Sequence, residues 1–370
     1  MSNLHALHAA GVSVWSDQIS RSMLQTGELA RRVRHDTVSG VTSNPTIFAS
    51  AITKSTDYDD LLGEMAKRDA STDEIYAALI TRDIQQAADV LQKVFVETEG
   101  RDGFVSVEVS PELAADTEAT LAEAREWVKR IDRPNLLVKI PATAEGLPAI
   151  RGALAEGISI NVTLIFSLHR YREVMAAWLD GLEGFAATGG DLRTVASVAS
   201  FFVSRVDTEV DQRLEAIGGE RALSLRGQAA VANARVAYGL FGDILGGSRG
   251  KALTARGARF QRPLWASTST KNPTYRDTLY IDTLVAPDTV NTMPLETIDA
   301  YQDHGPSKPA PFDDEDIDAA RQTLADLERV GVPYAEVVAV LEREGVEKFV
   351  KSFRELWADL DRKRQVMAGA

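Results

Sequence analysis

Eight short apolar runs, each followed by a stretch of helical periodicity, constrain this chain of 370 residues more than anything else in it. Strand-like runs fall at 12–17, 40–45, 104–109, from 136, and at 158–166, 195–203, 262–269 and 284–293, the last interrupted by Pro287. Between them lie helical repeats. One opens at Ser71 or Thr72 and carries Ile75, Leu79, Ile84, Ala87, Leu91 and Val94. Another follows Ser167 with Leu168, Tyr171, Met175, Trp178 and Leu182 at steps of three and four, and a long helical stretch covers 208–245. Alternation of this kind over this length predicts a parallel (β/α)8 TIM barrel with additional helices. An open doubly wound sheet is the rival, but no Gly-rich phosphate loop follows the first strand. Gly305 to Pro311 gathers a glycine, a serine, a lysine and three prolines, so the expected division is a barrel over 1–312 and a helical C-terminal extension over 313–370 packed on it. The last helix puts Val346, Phe349, Phe353, Trp357 and Leu360 on one stripe, which reads as core packing.

Several of these strands are apolar on one face and polar on the other. Val12 and Val14 oppose Trp15 and Asp17; Val41 opposes Thr42 and Asn44; Val105, Val107 and Val109 oppose Ser106 and Glu108. Ile160, Val162 and Leu164 oppose Asn161 and Thr163, and Ser200 and Ser269 add small hydroxyls on the sixth and seventh strands. Singly, each has a plain structural reading. Asp17 can cap the next helix, Asn44 before Pro45 can be a turn residue, Glu108 can pair with a cation, and Asn161 and Thr163 can satisfy neighbouring backbone. Together, on consecutive strands and in phase, they describe an interior built for a hydroxyl-rich ligand at the C-terminal ends of the strands.

The fourth strand adds a lysine. Asn135 and Pro134 precede it as turn residues; Leu136, Val138 and Ile140 share one face, Leu137 and Lys139 the other. Burying an ammonium is costly, and a dry site favours the neutral amine, a nucleophile able to form a Schiff base with a ketone. The alternative is a lysine that snorkels to the strand end and pairs with a carboxylate.

Composition removes other classes. A net charge of −13 argues against nucleic acid or an anionic membrane as partner, so a phosphorylated substrate would need local cations. With 0 cysteines there is no disulfide, thiolate metal site or cysteine nucleophile, as fits a reducing, cytoplasmic setting. No window approaches 18 apolar residues, and residues 1–10 do not resemble a secretory signal, so no membrane span is expected. His5, His8, His35, His169 and His304 are scattered, without paired-ligand spacing, and no Walker loop or GxSxG elbow occurs, so no metal or cofactor is expected.

With these residues in view, the chain resembles the transaldolases. Gly40-Val41-Thr42-Ser43-Asn44-Pro45-Thr46-Ile47-Phe48 is similar to that family's first signature. Leu137-Val138-Lys139-Ile140-Pro141-Ala142-Thr143-Ala144-Glu145-Gly146-Leu147 is similar to its second, about 90 residues on and in the right order. The resemblance runs to about Thr292, and the long tail is like that of the larger bacterial subgroup. It implies an enzyme of the non-oxidative pentose phosphate pathway. Such an enzyme moves a dihydroxyacetone unit from sedoheptulose 7-phosphate or fructose 6-phosphate to glyceraldehyde 3-phosphate or erythrose 4-phosphate, without a cofactor, as a monomer or homodimer. Carried over residue by residue, it implies Lys139 as the Schiff-base lysine. Asp17 would be the base on the hydroxyl whose carbon leaves as aldehyde, and Glu108 would act through a water on the carbinolamine. Thr42, Asn44, Asn161, Thr163 and Ser200 would hold hydroxyls and water, beside Phe202. Arg205 would bind phosphate, with Ser269 and Lys271 standing where the family usually has a second arginine. Related aldolases that release free dihydroxyacetone tend to carry Gln at the position of Glu108 and Tyr at that of Phe202.

Overall fold

The strands of the computed structural model, which describes residues 2–43, 48, 51–52 and 55–368, are all parallel and pair in chain order. They are β1 Val12–Ser16, β2 Val38–Val41, β3 Phe104–Glu108, β4 Leu136–Pro141, β5 Ile160–Ile165, β6 Ser197–Phe202, β7 Arg262–Ala266 and β8 Thr289–Met293. Val12 is the register partner of Thr289 and Ser16 of Met293, so β8 returns to β1 and the sheet closes into the expected (β/α)8 barrel. Every strand residue is buried. One face lies under the surrounding helices and the other fills the barrel, which is why the runs are apolar nearly throughout.

The N-terminal end of the barrel is plugged by a charge pair that the sequence pattern did not reveal. Arg262 opens β7 and Asp102 precedes β3; both are buried, with Nη1 3.4 Å from Oδ1. Asp102 also accepts from Trp15 Nε1 at 2.8 Å and from Ser13 Oγ, and Arg262 donates to Thr289 O at 2.8 Å. A buried pair holds only where its remaining donors and acceptors are met, as here. Gly40 makes room for Trp15, since a Cβ there would stand 2.4 Å from the indole ring.

Most strand boundaries differ from the sequence reading by a residue or two, and the following differences matter most. β2 starts at Val38, after Thr37 at φ 55°. β7 ends at Ala266, not at 269, because Ser267 turns out of the strand at φ 58°. β8 begins only at Thr289, after Pro287 and after Asp288 at φ 62°. The stretch 208–245 is not one helix. Ser204–Ile217 is stopped by Gly218 and Gly219, both at positive φ, and Ala229–Gly246 starts afresh. A helix opening at Pro45, and Asn44 itself, lie outside the described residues.

Local capping sets the main helices. Ser71 and Glu74 form a capping box that opens Thr72–Glu97, and Asp313 with Asp316 does the same for Asp314–Arg329. The chain ends in the 35-residue helix Tyr334–Ala368. Its first side chain ties it to the barrel helices, for Tyr334 Oη accepts from Leu168 N at 3.1 Å and donates to Asn233 Oδ1 at 2.7 Å. Farther on, Phe353 and Trp357 pack around Tyr76, the Tyr76 and Trp357 centroids 4.8 Å apart.

Candidate active site

Lys139 lies near the C-terminal end of β4, with Glu108 of β3 and Asn161 of β5 as its register partners. Side chains at one level of a barrel, alternating in the same phase, point to the same side. The three polar residues therefore meet inside. Lys139 Nζ donates to Glu108 Oε2 at 3.2 Å and to Ser43 O at 3.1 Å, and both side chains of the pair are buried. Burial pushes Glu108 up to about 7, against the pull of the Lys139 charge and hydrogen bond. Lys139 does not snorkel out of the barrel.

Beside the lysine runs a hydrogen-bonded belt. Ser200 Oγ donates to Asn161 Oδ1 at 2.7 Å, and Asn161 Nδ2 donates to Ser106 Oγ at 3.0 Å. Next to it opens a cavity of about 300 Å³ whose wall includes Asp17, Thr42, Lys139, Thr163, Ser200, Phe202 and Arg205. Three polar atoms at this cavity are buried and have no partner among the described residues: Asp17 Oδ1, Thr163 Oγ1 and Arg205 Nη1. Buried polar groups are normally hydrogen-bonded, and each exception needs a reason. An acceptor, a hydroxyl and a guanidinium N–H around one cavity match a ligand carrying hydroxyls and an anion.

Asp17 follows β1 and is fixed by its own N–H, which donates to Met293 O at 2.9 Å. It is not a helix cap: the next helix, Arg21–Gln25, is capped by Ser20. Burial pushes its carboxyl up to about 6, helped by the Glu296 charge and opposed by Lys271 and Lys139. Arg205 stands in the first turn of Ser204–Ile217, where the helix dipole favours an anion. Its guanidinium is 5.3 Å from the Phe202 ring centroid, and burial holds its pKa below the usual value.

Not every expected residue reaches the cavity wall. Glu108 and Asn161, the register partners of Lys139, are buried off the wall, Glu108 bonded to Lys139 and Asn161 to Ser106 and Ser200. Ser269 and Lys271 are on the segment after β7, outside the wall; Lys271 Nζ donates to Ser269 Oγ at 2.6 Å, and the lysine is exposed. Because β7 ends early, Ala266 and Ser267 line the cavity instead. Ser267 Oγ lies 2.9 Å from Ser204 Oγ. Gln18, Thr292 and Phe349 also line it and were not anticipated. Thr292 had a signal, one polar residue in phase at a strand end, obscured by the misplaced start of β8. Phe349 had none, since its stripe is what a packed helix also shows. Among the described residues no cluster of histidine, aspartate and glutamate could hold a metal ion, and no helix is long and apolar enough to cross a membrane.

The family described as Transaldolase/Fructose-6-phosphate aldolase matches residues 14–360. The match passes well beyond Thr292 and takes in most of the final helix. The chain is 55% identical to a transaldolase of Thermobifida fusca over 367 residues, 99% of each chain. It is 55% identical to one of Mycolicibacterium paratuberculosis, over 96% of this chain and 95% of the relative. It is 52% identical to transaldolase 1 of Streptomyces coelicolor, over 96% and 93%. On the extent of these matches, and on a barrel that brings Thr42 of the first signature and Lys139 of the second to one cavity, this enzyme belongs to the transaldolase/fructose-6-phosphate aldolase family.

Proposed function

We propose that the cavity transfers a dihydroxyacetone unit between sugar phosphates through a Schiff base on Lys139. The donor is sedoheptulose 7-phosphate or fructose 6-phosphate and the acceptor glyceraldehyde 3-phosphate or erythrose 4-phosphate, the chemistry of the non-oxidative pentose phosphate pathway in the cytoplasm. The observation that carries this reading is the buried amine with one carboxylate at 3.2 Å and a second on the wall of the same cavity.

The neutral amine of Lys139 adds to the donor carbonyl. Glu108, through a water, gives a proton to the departing hydroxyl of the carbinolamine, leaving an iminium. Asp17 takes the proton from the hydroxyl on the far carbon of the bond to be broken, the carbon that leaves as the aldehyde. That bond breaks, its electron pair enters the iminium to form an enamine, and the shortened aldehyde leaves. An acceptor aldehyde then reverses these steps. Asn44, Thr42, Asn161, Thr163 and Ser200 hold hydroxyls and water; Arg205 binds phosphate, with Lys271 and Ser269 as a weaker second contact on the rim. Glu108 and Phe202, where the dihydroxyacetone-releasing aldolases tend to carry Gln and Tyr, support transfer over release.

Fructose 6-phosphate with borohydride tests the reading. A three-carbon adduct on Lys139 is expected by peptide mass. No adduct, with full turnover in Lys139→Ala, would overturn it.

A further inference from the structure

The helix Tyr334–Ala368 crosses the mouth of the barrel, and three contacts fix its path. Gly345 lies against the end of β5, where a Cβ would stand 3.1 Å from Phe166 Cε2 and 3.3 Å from Leu164 Cδ2. Arg354 pairs with Glu112, just after β3, at 2.8 Å. Lys363 donates to the carbonyls of Ile52 and Ser55, both at 3.0 Å, and to Asp59 at 2.9 Å, all beyond β2. Between the first and second of these anchors, Phe349 faces the lysine. Its ring centroid is 5.6 Å from Lys139 Nζ, it lines the cavity, and it is buried.

That placement matters for one step of the reaction. After the first aldehyde leaves, the enamine has to persist until a second arrives. Its loss needs water. A proton adds to the enamine carbon to restore the iminium, and water adds across the carbon–nitrogen double bond. The carbon–nitrogen bond then breaks, releasing dihydroxyacetone and the free amine of Lys139. An aromatic ring offers water no hydrogen-bonding foothold. Its face also attracts a cation, so it favours the iminium over a hydrated amine.

We propose that Phe349 is a specificity-determining residue, carried onto the barrel mouth by the C-terminal helix, that keeps water off the Lys139 enamine and so commits the three-carbon unit to transfer. This rests on the Schiff-base reading above. It assigns to the tail a part in the choice between transferase and aldolase outcomes, and it makes the position of Gly345 matter, since the close approach there sets the height of the ring.

The full-length chain and its Phe349→Ala and Phe349→Leu variants are compared with fructose 6-phosphate as donor. Borohydride trapping on Lys139 reports the Schiff base. The ratio of free dihydroxyacetone to product formed with erythrose 4-phosphate reports the partition. In Phe349→Ala the adduct persists and the ratio rises about tenfold, with Phe349→Leu between it and the parent. A ratio equal to the parent's in both variants, release and transfer falling together, overturns the proposal and leaves Phe349 a packing residue. If Phe349→Ala does not fold, the ratio in Phe349→Leu decides alone by the same criterion. Absence of the adduct in the parent is a different result, and overturns the Schiff-base reading itself.

Discussion

Glu108 Oε2 lies 3.2 Å from Lys139 Nζ because the two residues are register partners on adjacent parallel strands. The barrel thus fixes the proposed acid beside the proposed nucleophile by backbone pairing. With burial raising Glu108 to about 7, its protonated form is available near neutral pH and is lost above it. In the proposed reaction, formation of the iminium needs that proton, so its rate is expected to fall as pH rises through about 7. Glu108→Gln removes the titrating group. Adduct formation should slow by about 10²-fold or more, and the alkaline fall should vanish. The check is the rate of borohydride-trapped adduct against pH; an unchanged profile in Glu108→Gln would refute the assignment.

In the proposed reaction Asp17 carries the opposite requirement, since it must be ionised to accept a proton. Burial raises it from 3.8 to about 6, so cleavage should fall as pH drops through about 6. The same shift has a stability sign. A carboxyl raised on folding favours the fold while protonated, and that contribution is lost as pH climbs from the unfolded value through about 6. Asp17→Asn removes the buried carboxylate. It should therefore be more stable than the parent by about 1–2 kcal/mol above neutral pH, the difference shrinking in acid. The same variant should form the Lys139 iminium but not cleave it, so borohydride would trap the intact six-carbon donor. Urea unfolding at two pH values and the adduct mass test the two halves separately. Trapping of a three-carbon adduct would remove Asp17 from the cleavage step.

The barrel was legible because both faces of every strand are buried, which leaves eight apolar runs that no loop imitates. The inner residues were legible for a related reason: Glu108, Lys139, Asn161 and Thr163 break the apolar pattern in phase. What the pattern hides is where strands stop. Ser267 and Asp288 adopt positive φ although neither is glycine, so nothing in the sequence marks the early end of β7, and Pro287 alone hints at the late start of β8. Ser269 and Lys271 were misplaced by the first of these, and Thr292 was missed through the second. Phe349 shows a different limit. A stripe on a helix says that something is covered, but what lies beneath it depends on tertiary contacts far away in the chain, here Lys139.

Arg205 and Lys271 should separate on phosphorylated substrates. Among the described residues Arg205 Nη1 is buried at the cavity without a partner, whereas Lys271 is exposed and donates to Ser269. A charge-assisted contact to phosphate is worth about 1.5–3 kcal/mol, so Arg205→Ala should raise KM about 10- to 100-fold. Lys271→Ala, working through solvent, should raise it only a few-fold. Neither should matter for unphosphorylated dihydroxyacetone donors. Steady-state kinetics with and without the phosphate test this, and equal losses on both substrates would show that the cations act on something other than phosphate.

The Asp102–Arg262 plug should govern stability and leave chemistry alone. It sits at the N-terminal end of the barrel, the end that in this architecture serves the fold, while the cavity occupies the other. Asp102→Ala leaves the Arg262 guanidinium buried without its counter-charge and strips the acceptor from Trp15 Nε1 and Ser13 Oγ. Breaking one side of such a pair costs about 3–5 kcal/mol. Asp102→Asn keeps an acceptor for the indole and should lose less, because only the charge is gone. Substrate KM should stay near the parent value in both variants under conditions where they remain folded. Urea midpoints and KM are the two measurements. An Asp102→Ala midpoint equal to the parent's would mean that Arg262 is held by the Thr289 and Arg101 carbonyls, with Asp102 contributing nothing to the hold.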